Sequence, residues 1–223
     1  MCGRYTLSTP PEALAAHFAL DAVPPHLDAR YNIAPGQPVP VITYVEGRGR
    51  HLDLMHWGLI PSWAEDPAIG HRLFNAQAET VADKPAFRHA FAHHRCLIPA
   101  DGYYLWRPSE DHKQPYRVTR TDGTPFAFAG LWAHWEAADG QRVIDSCLIL
   151  TCMAVASLAH LDGRMPLILP PDVYAAWLDP HRPVEELEAL LRPGGTADLQ
   201  ARRVSEAVNN PRNDYDALVR PID

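Results

Sequence analysis

Short apolar runs set between breakers dominate the chain, and long helical periodicities are absent. Val39 to Val45 and His51 to Trp57 are β-branched, aromatic or alternating, and Glu46-Gly47-Arg48-Gly49 between them reads as a hairpin turn. Arg95 to Pro99, Gly102 to Arg107, Pro115 to Thr121, Phe126 to His134 and Val143 to Thr151 each predict a strand, and Arg202 to Val208 predicts one more. Helical spacing is brief. Thr9-Pro10-Pro11-Glu12 marks a helix start, with Thr9 as N-cap and Glu12 closing a capping box, so a short helix is expected over about residues 10 to 20. Ala86 to His94, Pro171 to Leu178 and Val184 to Leu191 predict further short helices. Strand following strand, with helices at the periphery and no βαβ alternation, predicts an α+β fold: one β-rich, mostly antiparallel domain over residues 1–223. No Gly-rich phosphate loop is present, which argues against a doubly wound nucleotide-binding fold.

Composition narrows the class. The 223 residues suffice for one sizeable core, and 22 prolines exclude long helical bundles. The net charge of −7 excludes a uniformly basic nucleic-acid binder, but most of the acid excess lies beyond residue 130, so a local cationic groove fits best in the earlier part. No apolar run approaches the roughly 18 residues of a membrane span, and the opening MCGRYTL lacks the basic and apolar regions of a signal peptide, so a cytoplasmic protein is expected. Four cysteines without paired spacing fit free thiols in a reducing compartment. Cys96, Cys147 and Cys152 sit in apolar strand contexts as buried small hydrophobes. His89 and His93 are spaced i, i+4 but have no further ligands, so neither a metal nor another cofactor is expected.

Cys2 is chemically distinctive. Removal of Met1 would leave an α-amine and a thiol on adjacent carbons, with ordinary pKa values near 8 and 8.5. An aldehyde meets both groups in turn: the amine forms an imine, and the thiol closes a five-membered thiazolidine in an intramolecular step. Position alone leaves open that Cys2 merely follows the start codon. Tyr31 to Gly36, His56 to Trp63 and Phe74 to Thr80 read as loops, in which Trp57 and Trp63 can either stack on unpaired bases or pack in the core, and Asn75 can hold a carbonyl or form a turn.

Taken in order, MCGRYTL, YNIAPGQ, WGLIPSWA, FNAQAET, RCLIPADGYYLW, FAGLW, CLILT, GRMPLIL and VNNPRND resemble the SOS-response-associated peptidase family, the abasic-site processing proteins, over essentially the whole chain. The resemblance implies a barrel-like core and a positively lined groove for single-stranded DNA. It also implies an enzyme that loses Met1 by self-cleavage and crosslinks Cys2 to the ring-opened aldehyde of an abasic site as a thiazolidine, shielding the damaged strand. The resemblance makes Cys2 the nucleophile and Asn75 the residue that orients the opened sugar. It puts Arg4, Asn32 and Arg164 in the groove and the loop from Trp57 to Trp63 beside the bases. A monomer is expected, cytoplasmic and nucleoid-associated when bound to single-stranded DNA.

The sequence departs from the family pattern at three positions. Leu105 stands where the family has an acidic residue that helps open the sugar, and Leu carries no titratable proton. Asp162 stands where the family has His; His160, two residues upstream, shares its face if the segment is extended and can substitute in proton transfer. Gln77 replaces an Arg that would contact phosphate. These changes keep two other readings open: a non-catalytic member that only binds single strands, and an amidohydrolase using an N-terminal Cys on a small molecule.

Overall fold

Five strands close on themselves at the centre of the molecule, and everything else is laid against that ring. The computed structural model describes residues 3–24, 26–108, 113–194, 196 and 198–222. In chain order the elements are β1 (Tyr5–Leu7), α1 (Pro11–Phe18), β2 (Arg30–Ile33), β3 (Pro38–Val45), β4 (Gly49–Trp57), β5 (Asn75–Gln77), α2 (Arg88–His93), β6 (Arg95–Ala100), β7 (Gly102–Pro108), β8 (Lys113–Arg120), β9 (Phe126–Glu136), β10 (Val143–Met153), β11 (Arg164–Pro166), β12 (Ile168–Leu169), α3 (Tyr174–Leu178), α4 (Val184–Glu188) and β13 (Leu199–Arg203). The ring runs β10-β4-β3-β6-β9 and closes where β9 pairs back onto β10. Only its β4–β10 pair is parallel. β5 and β11 extend the sheet along β10, and β12 extends it along β9. A second, antiparallel sheet, ordered β13-β8-β7-β1-β2, packs against the barrel. The fold is thus the expected α+β, β-rich arrangement with a closed core.

Local composition explains the closure. All six residues of β6 are buried, as a strand covered on both faces requires. Pairing of β3 with β6 is limited to Ile42 and Leu97, and Pro38 and Pro40, which have no N–H to donate, fall in the part of β3 that β6 does not pair. At Gly130 on β9 a Cβ would lie 2.8 Å from the Cys96 sulfur, so glycine is what allows β6 and β9 to pack this closely. Cys96 and Cys147 are fully buried and Cys152 nearly so, and burial pushes all three thiols above their ordinary pKa.

Two buried side chains lock the peripheral elements. Arg95, 4% exposed, donates to the carbonyls of Phe91 and Ala92 at the end of α2 (2.7 and 2.5 Å), to Trp177 in α3 (2.8 Å), and to Asp179 just beyond it. One guanidinium therefore caps two helix C-termini, where the peptide dipoles favour a cation. Asp101, in the turn between β6 and β7, accepts from Thr6 Oγ1 (2.6 Å), Ser8 N (2.5 Å), Ser8 Oγ (2.8 Å), Thr9 N (2.9 Å) and Thr9 Oγ1 (3.2 Å), and pairs with Arg117 (3.2 Å). Burial raises its carboxyl pKa, but the Thr6 and Ser8 hydrogen bonds and the Arg117 charge outweigh this and hold it below the ordinary value. β1 is thereby pinned at its C-terminal end.

Two expected details differ. Thr9 does not cap α1, because its hydroxyl is drawn to Asp101; Pro10 occupies the cap position. The last strand lies earlier than Arg202 to Val208: β13 ends at Arg203, and Ser205 Oγ accepts from Ala207 N at 3.2 Å to start a 3-10 turn over Glu206–Asn209.

Arg95→Met leaves four carbonyls without their donor and is expected to lower unfolding stability by about 3 kcal/mol, read by urea denaturation. The Asp101 contribution is complete above the ordinary carboxylate range near 3.9 and disappears as pH falls through the lower folded value. Asp101→Asn is therefore expected to destabilise the protein at neutral pH and to flatten the acid limb of its stability profile, measured as melting temperature against pH.

Candidate functional site

The pinned β1 leads back towards an open cavity of about 800 Å³ lined by Gly3, Arg4, Trp106, Lys113, residues 159–163 and Asn209. Cys2 lies outside the described residues. Gly3, the next residue in the chain, forms part of the cavity wall.

The wall is built from the side opposite the barrel. β1 pairs with β2 and β7, and Tyr5 sets its ring edge-on to Trp57 with centroids 5.4 Å apart. On β2, Asn32 is wholly buried, and its amide donates to the carbonyls of Val208 (3.1 Å), Asn210 (3.1 Å) and Asn213 (2.8 Å). Asp214 accepts from the backbone N–H groups of Tyr31 (2.5 Å) and Asn32 (3.1 Å) and pairs with Arg30. The segment 208–214 is thus clasped along β2. Arg4 completes the clasp, donating to Asn32 Oδ1 at 3.2 Å and to the Val208 carbonyl at 2.7 Å; its half-buried guanidinium is pushed below its ordinary pKa by desolvation. Trp106 Nε1 donates to Asn209 Oδ1 at 2.7 Å, which fixes the indole at the cavity edge.

The other wall is the connection between β10 and β11. Residues 155–162 coil through turns such as Leu158 N to Val155 O (2.9 Å) and Leu161 N to Leu158 O (2.9 Å), so the expected extended segment is absent. His160 and Asp162 nevertheless both line the cavity. Asp162 Oδ1 accepts from Arg164 N at 3.0 Å and shapes the turn into β11. Arg164 then grips Glu79 through two bonds of 3.2 and 2.8 Å and the Thr151 carbonyl at 2.7 Å. The Arg164 hydrogen bond is the main cause holding the Glu79 carboxyl below its ordinary pKa. Gln77, opposite Thr151 on β5, is exposed on the same end of β10.

The structure therefore gathers Arg4, His160 and Asp162 at one cavity beside Gly3. Asn75 is not among the lining residues; it is half-buried at the start of β5, in parallel register with Ile149 of β10. Two of the expected contact residues require correction. Trp57 is 1% exposed and donates its Nε1 to the Phe74 carbonyl at 2.9 Å, so its ring is a core element supporting Tyr5 and offers no face to a base. Asn32, also buried, reaches no cavity and acts instead through Arg4 and the 208–214 segment. Trp63 is 62% exposed, on a different part of the surface from the cavity. Leu105 is 1% exposed and belongs to the main apolar core.

Trp106, Lys113 and Asn209 are the cavity residues that sequence reasoning missed. Trp106 was detectable: on a strand it shares a face with Tyr104 and opposes Leu105. Lys113 and Asn209 carry no such local signal. Arg4 and Lys113 set against Asp162 make the cavity wall cationic in balance, suited to a phosphate backbone. Among the described residues, no His, Cys, Asp and Glu side chains are grouped so as to hold a metal ion, and no helix is long and apolar enough to cross a membrane.

Comparison with known proteins identifies the family. Abasic site processing protein YoaM of Bacillus subtilis (strain 168) is 37% identical over 223 residues, covering 98% of this chain and 97% of its own. Abasic site processing protein YedK of Escherichia coli (strain K12) is 31% identical over 230 residues, covering all of both chains. A crystal structure of a Bacteroides thetaiotaomicron protein superposes with a TM-score of 0.87 at 25% identity, over 99% of this chain and 100% of the other. The family model described as SOS response associated peptidase (SRAP) matches residues 1–211, and the chain belongs to that family.

Proposed function

We propose that the protein captures abasic sites in single-stranded DNA through Cys2, freed by self-processing hydrolysis of the Met1–Cys2 bond, and holds them as a thiazolidine crosslink. The observation that carries this reading is the cationic cavity whose wall includes Gly3, the residue that follows Cys2 in the chain. The α-amine attacks the C1′ aldehyde of the opened sugar, water leaves as the imine forms, and the thiol adds to the imine carbon to close the ring. Competition from other cysteines is suppressed, since Cys96, Cys147 and Cys152 are buried with raised pKa values.

Arg4 and Lys113 supply charge for the phosphates at the cavity, Arg164 adds to them only by releasing Glu79, and Trp63 offers an exposed ring to a base. Asn75 orients the opened sugar. His160 and Asp162 supply the imidazole and the carboxyl at the cavity and take over proton transfer, because Leu105 has no proton to give. Imine formation and ring closure need only an amine, a thiol and water. Crosslinking is therefore slow and its reversal slower, and the loss of a phosphate contact at Gln77 weakens strand binding without abolishing it. The protein acts as a cytoplasmic monomer on the strand.

A time course with a single-stranded oligonucleotide carrying one abasic site is expected to give a denaturant-resistant adduct that Cys2→Ala lacks. Salt-sensitive binding with no adduct over hours would favour the purely binding reading. Leu105→Glu is expected to accelerate both formation and reversal, by about tenfold or more if the new carboxyl acts as a general acid or base. It is also expected to lower the melting temperature, because the site is apolar.

A further inference from the structure

A second concavity, walled by nitrogen-bearing side chains, lies apart from the cavity at Gly3. It encloses about 320 Å³, and His56 of β4, His71 of the 3-10 turn Pro67–Arg72 and Arg142 of the β9–β10 hairpin all face it. Three separate elements thus bring nitrogen-bearing side chains to one place. Asp66 is the carboxylate at its rim, but its Oδ1 is drawn to Ala68 N at 2.8 Å, where it caps the 3-10 turn. The pKa of His56 is lowered first by burial and then by the charges of His71 and Arg142, so the field at the imidazole is that of its cationic neighbours.

The walls are rigid. Gly58 has φ +149, and a Cβ there would lie 2.6 Å from the Gly70 carbonyl oxygen, so the end of β4 and the turn bearing His71 are in direct backbone contact. A neighbouring concavity of about 460 Å³ shares Asp66, Ala68 and His71 with the first and is also lined by Trp63, Arg72 and a second carboxylate, Glu65. His71 precedes Asn75 by four residues, which limits their Cα separation to about 14 Å.

We propose that His56, His71 and Arg142 form a phosphodiester subsite for the same single strand, with the exposed Trp63 stacking on a base beside it. The inference rests on the single-stranded DNA reading above and adds a second anchoring point to it. An exposed aromatic ring next to a cationic hollow is the arrangement that binds unpaired strands without reading their sequence. A bound phosphate favours the imidazolium form, so affinity increases as pH falls; for His56, whose pKa is lowered by burial, that gain comes at a lower pH than for an ordinary imidazole. By linkage, each imidazole whose pKa rises by one unit on binding contributes about a tenfold gain in affinity.

The test is fluorescence anisotropy with an undamaged oligothymidylate at about pH 6 and about pH 8, using the wild-type protein, His71→Gln and Arg142→Gln. Both substitutions are at exposed positions and leave the core untouched. Tighter wild-type binding at the lower pH is expected. His71→Gln should flatten that pH dependence, and Arg142→Gln should weaken binding at both pH values and lower the salt slope by about one. Variants that bind as the wild type does at both pH values would overturn the subsite. Adduct formation by the wild-type protein on a short abasic strand reports separately on Cys2: adduct with unaltered variant binding sinks the subsite alone, whereas altered variant binding without adduct supports the subsite and contradicts the covalent reading.

Discussion

The placement of β1 and of the residues that flank it, Arg4 to Thr9, is the constraint on which the rest of the molecule depends. Two buried polar side chains enforce it from opposite directions. Asp101 gathers the hydroxyls and amides of Thr6, Ser8 and Thr9 at one end of β1, and Asn32, with Arg4, fastens the segment 208–214 on its other side. Buried groups of this kind gain little net stability from each hydrogen bond, but leaving any one unpaired is costly, so the arrangement is close to all-or-none. Covalent capture of an aldehyde gains from such rigidity, because effective concentration falls steeply with misplacement of the reacting atoms.

Reactivity is partitioned by burial. The barrel takes three thiols out of contention by desolvating them, and it uses Cys96 as a packing element against Gly130. At Leu105 the same preference for a dry core operates where the family pattern has an acid: a side chain without a proton joins the apolar cluster. The imidazole and carboxyl at the cavity, His160 and Asp162, come from a coiled connection that Leu158 and Leu161 anchor in the main core.

Much of the architecture was legible in the sequence because long strands announce themselves. β3, β4 and β6 to β10 follow alternation or continuous apolar runs, and their observed bounds lie within two residues of those expected. β1, β2, β5, β11 and β12 have four residues or fewer, too short for any period to show, yet three of them carry the candidate residues Asn32, Asn75 and Arg164, and β1 begins one residue after Arg4. The resemblance to a family found those residues; periodicity did not. What neither supplied was the distinction between a residue that contacts a ligand and one that supports such a contact. Trp57 and Asn32 sit in motifs that the resemblance sets beside the strand, and only the structure shows them buried, in contact with Tyr5 and Arg4. The helix cap failed for a similar reason, since a carboxylate distant in sequence competes for the Thr9 hydroxyl.

The most direct test is peptide-level mass spectrometry of the adduct between the protein and an abasic single strand, after digestion of both. The account predicts the sugar remnant on the N-terminal peptide beginning at Cys2, without Met1 and with the mass of one water lost. A remnant on Lys113 in the cavity wall, or a peptide retaining Met1 beneath the modification, would contradict it.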